Sequence, residues 1–329
     1  MKNKRVLLIA VIAVLAVAAC VCWFVFRPEQ KAEEGKKLSI VATIFPEYDW
    51  VKNILGDNPG NIELTMLLDT GVDLHSYQPT VNDVMKVSKC DLFIYVGGES
   101  DKWVDDVLSQ ASNQDIVAIS LLDALGDQVR EEEILEGMES EEEEEEEGGE
   151  PEYDEHVWLS LRNAVLLVKR LEEAIAKIDP DHADVYRANA EAYIAKLGTL
   201  DQAYRDAVAG ASVKTLLFAD RFPFRYLTDD YGLTPYAAFA GCSAETSASF
   251  GTIRFLASKV DELSLRSVIV IEGGNHGIAE AVVENTQTKD QRILTMDSMQ
   301  SVTAGDVSGG ADYLGIMEKN LSVLKDALQ

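Results

Sequence analysis

Cysteine and histidine are both scarce, with four of each among 329 residues. Cys20 and Cys22 fall in an apolar N-terminal stretch, and Cys90 and Cys242 are far apart with no CxxC spacing. That excludes a zinc ribbon and a thioredoxin-like redox motif. Cys90 and Cys242 read as two unpaired buried thiols in preference to a disulfide. Positive charge is also short: 29 Lys and Arg stand against 57 Asp and Glu, a formal net charge of −28. Nucleic acid and anionic membrane surfaces are therefore poor partners. The chain has no GxSxG, GxGxxG, Walker or HExxH motif, so nothing local announces a nucleophilic hydrolase, a nucleotide site or a metalloprotease.

The acidity is concentrated. Residues 131–155 hold 16 carboxylates and no Lys or Arg, more than half of the net charge. A segment so polar buries too little apolar surface to order itself, and a disordered loop interrupting the first lobe is expected there. The N-terminus is the opposite case. Lys2, Lys4 and Arg5 precede an apolar run over 6–26 that is long enough to span a bilayer, with its basic start held in the cytoplasm. Val17-Ala18-Ala19-Cys20 is like a bacterial lipobox, yet the apolar run continues to Phe26. A lipid on Cys20 and an uncleaved helix both stay open, and either tethers the protein to the extracytoplasmic face of the cell membrane. Residues 1–27 are thus a signal peptide or anchor, and 28–37 a charged linker.

Beyond the linker, apolar runs at 38–44, 62–68, 92–96 and 116–120 alternate with helical patterns at 46–55, 80–89 and 101–111. Such alternation predicts a largely parallel sheet covered by helices. Helical periodicity then runs over 161–178, stops at Asp179-Pro180, and resumes over 182–208. A helix of about 27 residues is about 40 Å long, enough to bridge two lobes. Strands at 215–219, 235–239, 267–271 and 293–296 alternate with helices at 222–231, 247–263, 277–285 and 313–328. The expected fold is α/β: two Rossmann-like lobes, 38–181 and 210–329, joined by one long interlobe helix over 182–209, with a ligand cleft between them.

Ligands of open α/β sheets bind at the carboxyl ends of strands. His75 lies in a loop just past the second strand, and His156 where the acidic segment rejoins the fold. His182 reads as a surface residue at a helix start, and His276 sits in a glycine-rich turn whose location suits a site, although a helix-capping turn is the plainer reading. Asp297 ends one strand of the second lobe and Asp220 another; for Asp220, a partner for Arg221 or Arg225 or a helix cap are the plainer roles. Together these residues predict two imidazoles from the first lobe meeting one carboxylate from the second. Nitrogen plus oxygen ligation suits zinc or manganese, with zinc the tighter binder. Two other readings remain: a metallohydrolase with Glu272 as its base, or a receptor for a small organic ligand.

Several segments, in order, carry a resemblance: Ile40-Val-Ala-Thr-Ile-Phe-Pro46, Gly71-Val-Asp-Leu-His75-Ser-Tyr-Gln-Pro79, Cys90-Asp-Leu-Phe-Ile-Tyr-Val-Gly-Gly98, His156-Val-Trp-Leu159 and Ala244-Glu-Thr-Ser247. From about Leu38 onward the chain resembles the metal-specific solute-binding proteins of ABC importers, the zinc/manganese receptors that include ZnuA- and TroA-like proteins. The resemblance implies a monomeric, non-enzymatic receptor that carries a divalent metal, as cargo, to a permease and its ATPase. It implies His75 as first ligand, His156 as second and Asp297 as the last carboxylate. One departure stands out: Ala219 occupies a place where the family usually has His or Glu. Asp220, Glu272, His276 or water are the candidate replacements.

Overall fold

The computed structural model describes residues 37–138, 152–243, 247–274 and 276–329. The expected anchor, nearly all of the linker, and the centre of the acidic segment lie outside the described residues. Among the described residues, no helix is long and apolar enough to cross a membrane.

Two four-stranded parallel sheets form the molecule's two lobes. In the first, β1 (Ser39–Ala42) lies between β2 (Glu63–Met66) and β3 (Leu92–Tyr95), and β4 (Val117–Ser120) flanks β3. In the second, β5 (Thr215–Phe222) lies between β6 (Thr234–Ala240) and β7 (Ser267–Ile271), with β8 (Arg292–Met296) beside β7. Helices cover both faces, which is why the strands read as near-continuous apolar runs; every residue of β7 is buried. In each sheet the strand order reverses beside its opening strand, and that crevice at the carboxyl ends is where such sheets take ligands.

Helix Leu161–Ile178 starts where the Ser160 hydroxyl accepts the Asn163 N–H. It buries Leu161, Ala164, Leu167, Val168, Leu171 and Ile175, a three-and-four spacing that seats one face on the core. Asp179 and Pro180 end it, and after a short turn helix Ala183–Ala209 begins. This longer helix packs on Phe45–Leu55 and Leu161–Ile178 of the first lobe and on Arg225–Tyr231 and Tyr313–Ala327 of the second. Asn189 donates to Ile54 O at 3.0 Å near one end, and Tyr204 donates to Met317 O at 2.6 Å nearer the other. The helix therefore fixes the spacing of the lobes.

Three local expectations need correction. β5 runs on to Phe222 through an irregularity between Phe218 and Arg221, so Asp220 lies within the strand instead of ending it. Short helices at Leu121–Leu125 and Ala304–Ser308 are too brief to show a period in sequence. The acidic segment is ordered at its two flanks. Glu131 pairs with Tyr153, Asp154 N donates to Arg130 O at 2.9 Å, and Glu132 N to Glu152 O at 2.8 Å. Neighbouring cations offset the charge: Arg225 meets Glu133 at 3.1 Å and Lys259 meets Glu136 at 3.8 Å.

Candidate metal centre

The loop carrying His75 is shaped by its neighbours. Gly71 has φ +79, and a Cβ there would stand 3.2 Å from Ser301 O, so glycine alone lets this loop lie against the second lobe. Asp73 then caps a single turn, Leu74–Ser76, by accepting the His75 N–H at 3.0 Å. The other oxygen of Asp73 accepts from Arg221 at 2.7 Å, across the cleft. His156 comes from the descending flank of the acidic segment, just before the turn Val157–Leu159. It is wholly buried, and Asp154 accepts both its backbone N–H at 2.9 Å and its ring Nδ1–H at 3.0 Å.

The two rings meet. His75 Nε2 and His156 Nε2 are 3.1 Å apart. Each ring has its other nitrogen committed: His156 Nδ1 to Asp154, and His75 Nδ1 to Ser100 Oγ at 2.9 Å, with Glu155 Oε2 at 3.4 Å. A proton on each Nδ1 leaves an Nε2 lone pair on each ring, on two atoms that are in contact. Nitrogens bound to one tetrahedral zinc ion at about 2.05 Å stand about 3.3 Å apart, close to this spacing. Carboxylates that orient ligating imidazoles from behind are the usual second layer of such sites.

The charges agree with this layout. Burial, followed by the neighbouring His156 charge, pushes His75 down to about 3, so that ring is neutral. For His156, burial opposes the charged form but the Asp154 carboxylate, Glu155 and Gln300 outweigh it, and the ring's pKa is raised. A proton on His156 Nε2 would be shared with the neutral His75 ring across the 3.1 Å contact, and a cation bound there takes that proton's place.

A third donor completes the group. The Cys242 sulfur and one ring nitrogen from each of His75 and His156 all lie within 4.8 Å of one another, the one such His, Cys, Asp or Glu group among the described residues. Cys242 follows β6, at the carboxyl end of the second sheet, and its N–H is accepted by Glu132 at 3.2 Å. Before it, Gly241 presses on the His156 ring: a Cβ there would stand 3.0 Å from His156 Cε1 and 2.9 Å from Phe222 O. Gln300 Oε1 also approaches His156 Nε2, to 3.3 Å.

The expected carboxylates sit elsewhere. Asp297 is outside the group; its Oδ1 accepts Met299 N at 2.8 Å and caps the turn after β8. Asp220 spends its oxygens on Arg221 N and Ile271 N, stitching β5 to β7. Glu272 accepts from Ser298 N, Ser298 Oγ and Gln300 N at 2.6–3.2 Å, and so holds the turn that presents Gln300. His276 is exposed, and His182 bonds Asp179 at 2.8 Å. Ala219 is buried in the apolar core of the second lobe. A donor at the end of β6 was readable in principle, because Cys242 stands just past an apolar strand. Gln300 was not, because its placement depends on a turn.

Residues 40–327 match the protein family described as zinc-uptake complex component A, periplasmic. The zinc-binding lipoprotein AdcA of Streptococcus pneumoniae (strain R6) is 32% identical over 319 residues, covering 95% of this chain and 60% of that protein. The chain thus spans less than two thirds of that relative's length. The high-affinity zinc uptake system protein ZnuA of Bacillus subtilis is 29% identical over 298 residues, covering 90% of this chain and 89% of that one. Among solved structures, the Zn(II)-bound ZnuA-like domain of S. pneumoniae AdcA aligns with a TM-score of 0.69 at 28% identity, covering 89% of this chain and 99% of that domain.

Proposed function

The chain belongs to the family of periplasmic zinc-uptake components, and from that premise we propose that it is a tethered extracytoplasmic receptor that captures zinc for an ABC importer. One observation carries the reading: two imidazole Nε2 atoms 3.1 Å apart, each with its Nδ1 held by an acceptor. Neutral imidazole nitrogens backed by carboxylates favour zinc among biologically common cations, whereas manganese prefers oxygen-rich sites. Zinc in the names of relatives, and lipoprotein in one of them, support the cargo and the tether. The permease and ATPase follow from the same family reading, as does a monomeric receptor without catalysis. The hydrolase alternative would need Glu272 as a base, yet its oxygens are taken up by Ser298 and Gln300.

The test is zinc titration of the purified chain against a competing chromophoric chelator. His75→Ala and His156→Ala are each expected to weaken binding by more than the roughly 10–100-fold that mere supporting residues carry. Wild-type affinity in both variants would remove the site from consideration.

A further inference from the structure

The two histidines account for half of a tetrahedral shell, and the place where the family usually keeps another side-chain donor is filled by an alanine that faces the core. We infer that Cys242 supplies a sulfur ligand from the second lobe, giving a centre of two imidazole nitrogens and one sulfur in which the thiolate replaces the missing donor. This rests on the receptor reading above and specifies its ligand set.

Three features of the chain support it. First, the Cys242 sulfur lies within 4.8 Å of a ring nitrogen of both His75 and His156. Zinc–sulfur bonds of about 2.3 Å beside zinc–nitrogen bonds of about 2.05 Å put sulfur about 3.5 Å from each nitrogen, so a modest side-chain adjustment closes the shell. Second, the backbone is built to bring it there. Gly241 allows β6 to end flat against the His156 ring, and Glu132 holds the Cys242 N–H. Third, the chain contains its own control. Cys90 is fully buried and its thiol donates to Val87 O at 3.1 Å, within its own helix end; it behaves as a small apolar core residue. Cys242 instead sets its sulfur beside the two imidazoles.

On binding, the Cys242 S–H bond gives way to a metal–sulfur bond and the proton leaves to solvent. Gln300 Oε1, 3.3 Å from His156 Nε2, is an oxygen available for the fourth position. A dication with one thiolate and three neutral donors keeps one net positive charge, and the buried carboxylates of Asp154 and Glu155 stand behind the imidazoles to balance it. Sulfur in the shell also sets the preference among metals. Thiolate is a soft donor that favours zinc and disfavours manganese, beyond what the two imidazoles do alone.

The full chain, purified in detergent and loaded with cobalt(II), provides the test. The expected result is a thiolate-to-cobalt charge-transfer absorption in the near ultraviolet that disappears in Cys242→Ser and persists in Cys90→Ser. In parallel, Cys242→Ser is expected to lower zinc affinity at least about tenfold while changing manganese affinity less. A wild-type protein that binds one cobalt in a His75-dependent way without that absorption overturns the inference and leaves the receptor reading intact, as does an absorption that survives Cys242→Ser. Cobalt binding that ignores His75→Ala and His156→Ala overturns both.

Discussion

Asp154 accepts the ring proton of His156 at 3.0 Å and is itself buried, so no water can take over its role. Asp154→Asn removes a charge while keeping the shape and an acceptor oxygen for the backbone of residue 156. A cation on the far nitrogen would stand about 7 Å from the carboxylate, the hydrogen bond plus the ring plus a bond of about 2 Å. Zinc brings two positive charges and, with the Cys242 thiolate, displaces one proton there, so binding adds one unit where His156 is neutral and none where its ring is already charged, the form its raised pKa favours at low pH. One unit at about 7 Å and an effective dielectric of about 20 is worth about 2.4 kcal/mol, or roughly 50-fold in affinity. The penalty is therefore expected to be small at low pH and to grow toward that value as pH rises and His156 loses its second proton. Competition titration at about pH 6 and about pH 8.5, with circular dichroism to confirm the fold, measures both values. A folded Asp154→Asn protein that binds zinc within about threefold of wild type at both pH values would refute the electrostatic argument.

Glu47 is fully buried; one oxygen accepts Thr43 N, Thr43 Oγ1 and Ile44 N at 2.8–3.2 Å, and the other has no partner. Burial, reinforced by Asp101, pushes its pKa from the ordinary 4.5 to about 8. With the folded value above the unfolded one, its stabilising share is complete below about pH 4.5 and drains away as pH climbs toward 8. Glu47→Gln keeps the acceptor and cannot ionise. It is expected to gain about 3 kcal/mol at pH 7 and little at pH 4 in urea unfolding, and an equal effect at both would contradict this account. Replacing residues 139–151 with a short Gly-Ser link should leave the melting temperature and zinc affinity near wild type, because the flanks already pair through Glu131 and Tyr153. A large loss of either in differential scanning fluorimetry or zinc titration would give that segment a structural role.

Much of the fold was legible in the sequence because its elements satisfy one-dimensional rules. Helix Leu161–Ile178 repeats apolar residues every three or four positions and stops at a proline, and β7 is a short apolar run between polar stretches. His75 and His156 stood out for a similar reason: both fall beside a strand end or a charged segment, outside any run of periodic apolar residues. The second-lobe half of the centre was less legible. Asp297 and Asp220 carry the right functional group, but whether such a carboxylate faces a cleft or caps a turn is decided by bonds with residues one to fifty-one positions away. The acidic segment misled for the opposite reason. Its composition forecasts disorder throughout, yet 131–138 and 152–155 are anchored by backbone pairing and by Arg225 and Lys259, contacts that composition does not encode.

The turn after β8 connects these strands of reasoning. Met299 is buried with φ 63, a left-handed conformation that costs a side chain bearing a Cβ about 1 kcal/mol or more. A chain does not hold such a residue unless its surroundings over-determine it, and here they do. Asp297 accepts the Met299 N–H, Glu272 takes three donors from Ser298 and Gln300, and Trp158 of the first lobe donates to Ser298 O at 2.8 Å. Burial raises Glu272 to about 7, so even its charge is kept at a cost. All of that expense has one local product: it turns Gln300 back until its carbonyl oxygen reaches His156 Nε2, the atom at which His75 already points. Strain, buried charge and an interlobe hydrogen bond converging on one imidazole nitrogen are hard to explain by packing alone, since a relaxed turn with an apolar side chain would fill the same space more cheaply. They are what the proposed cation position at His156 Nε2 would require of its surroundings.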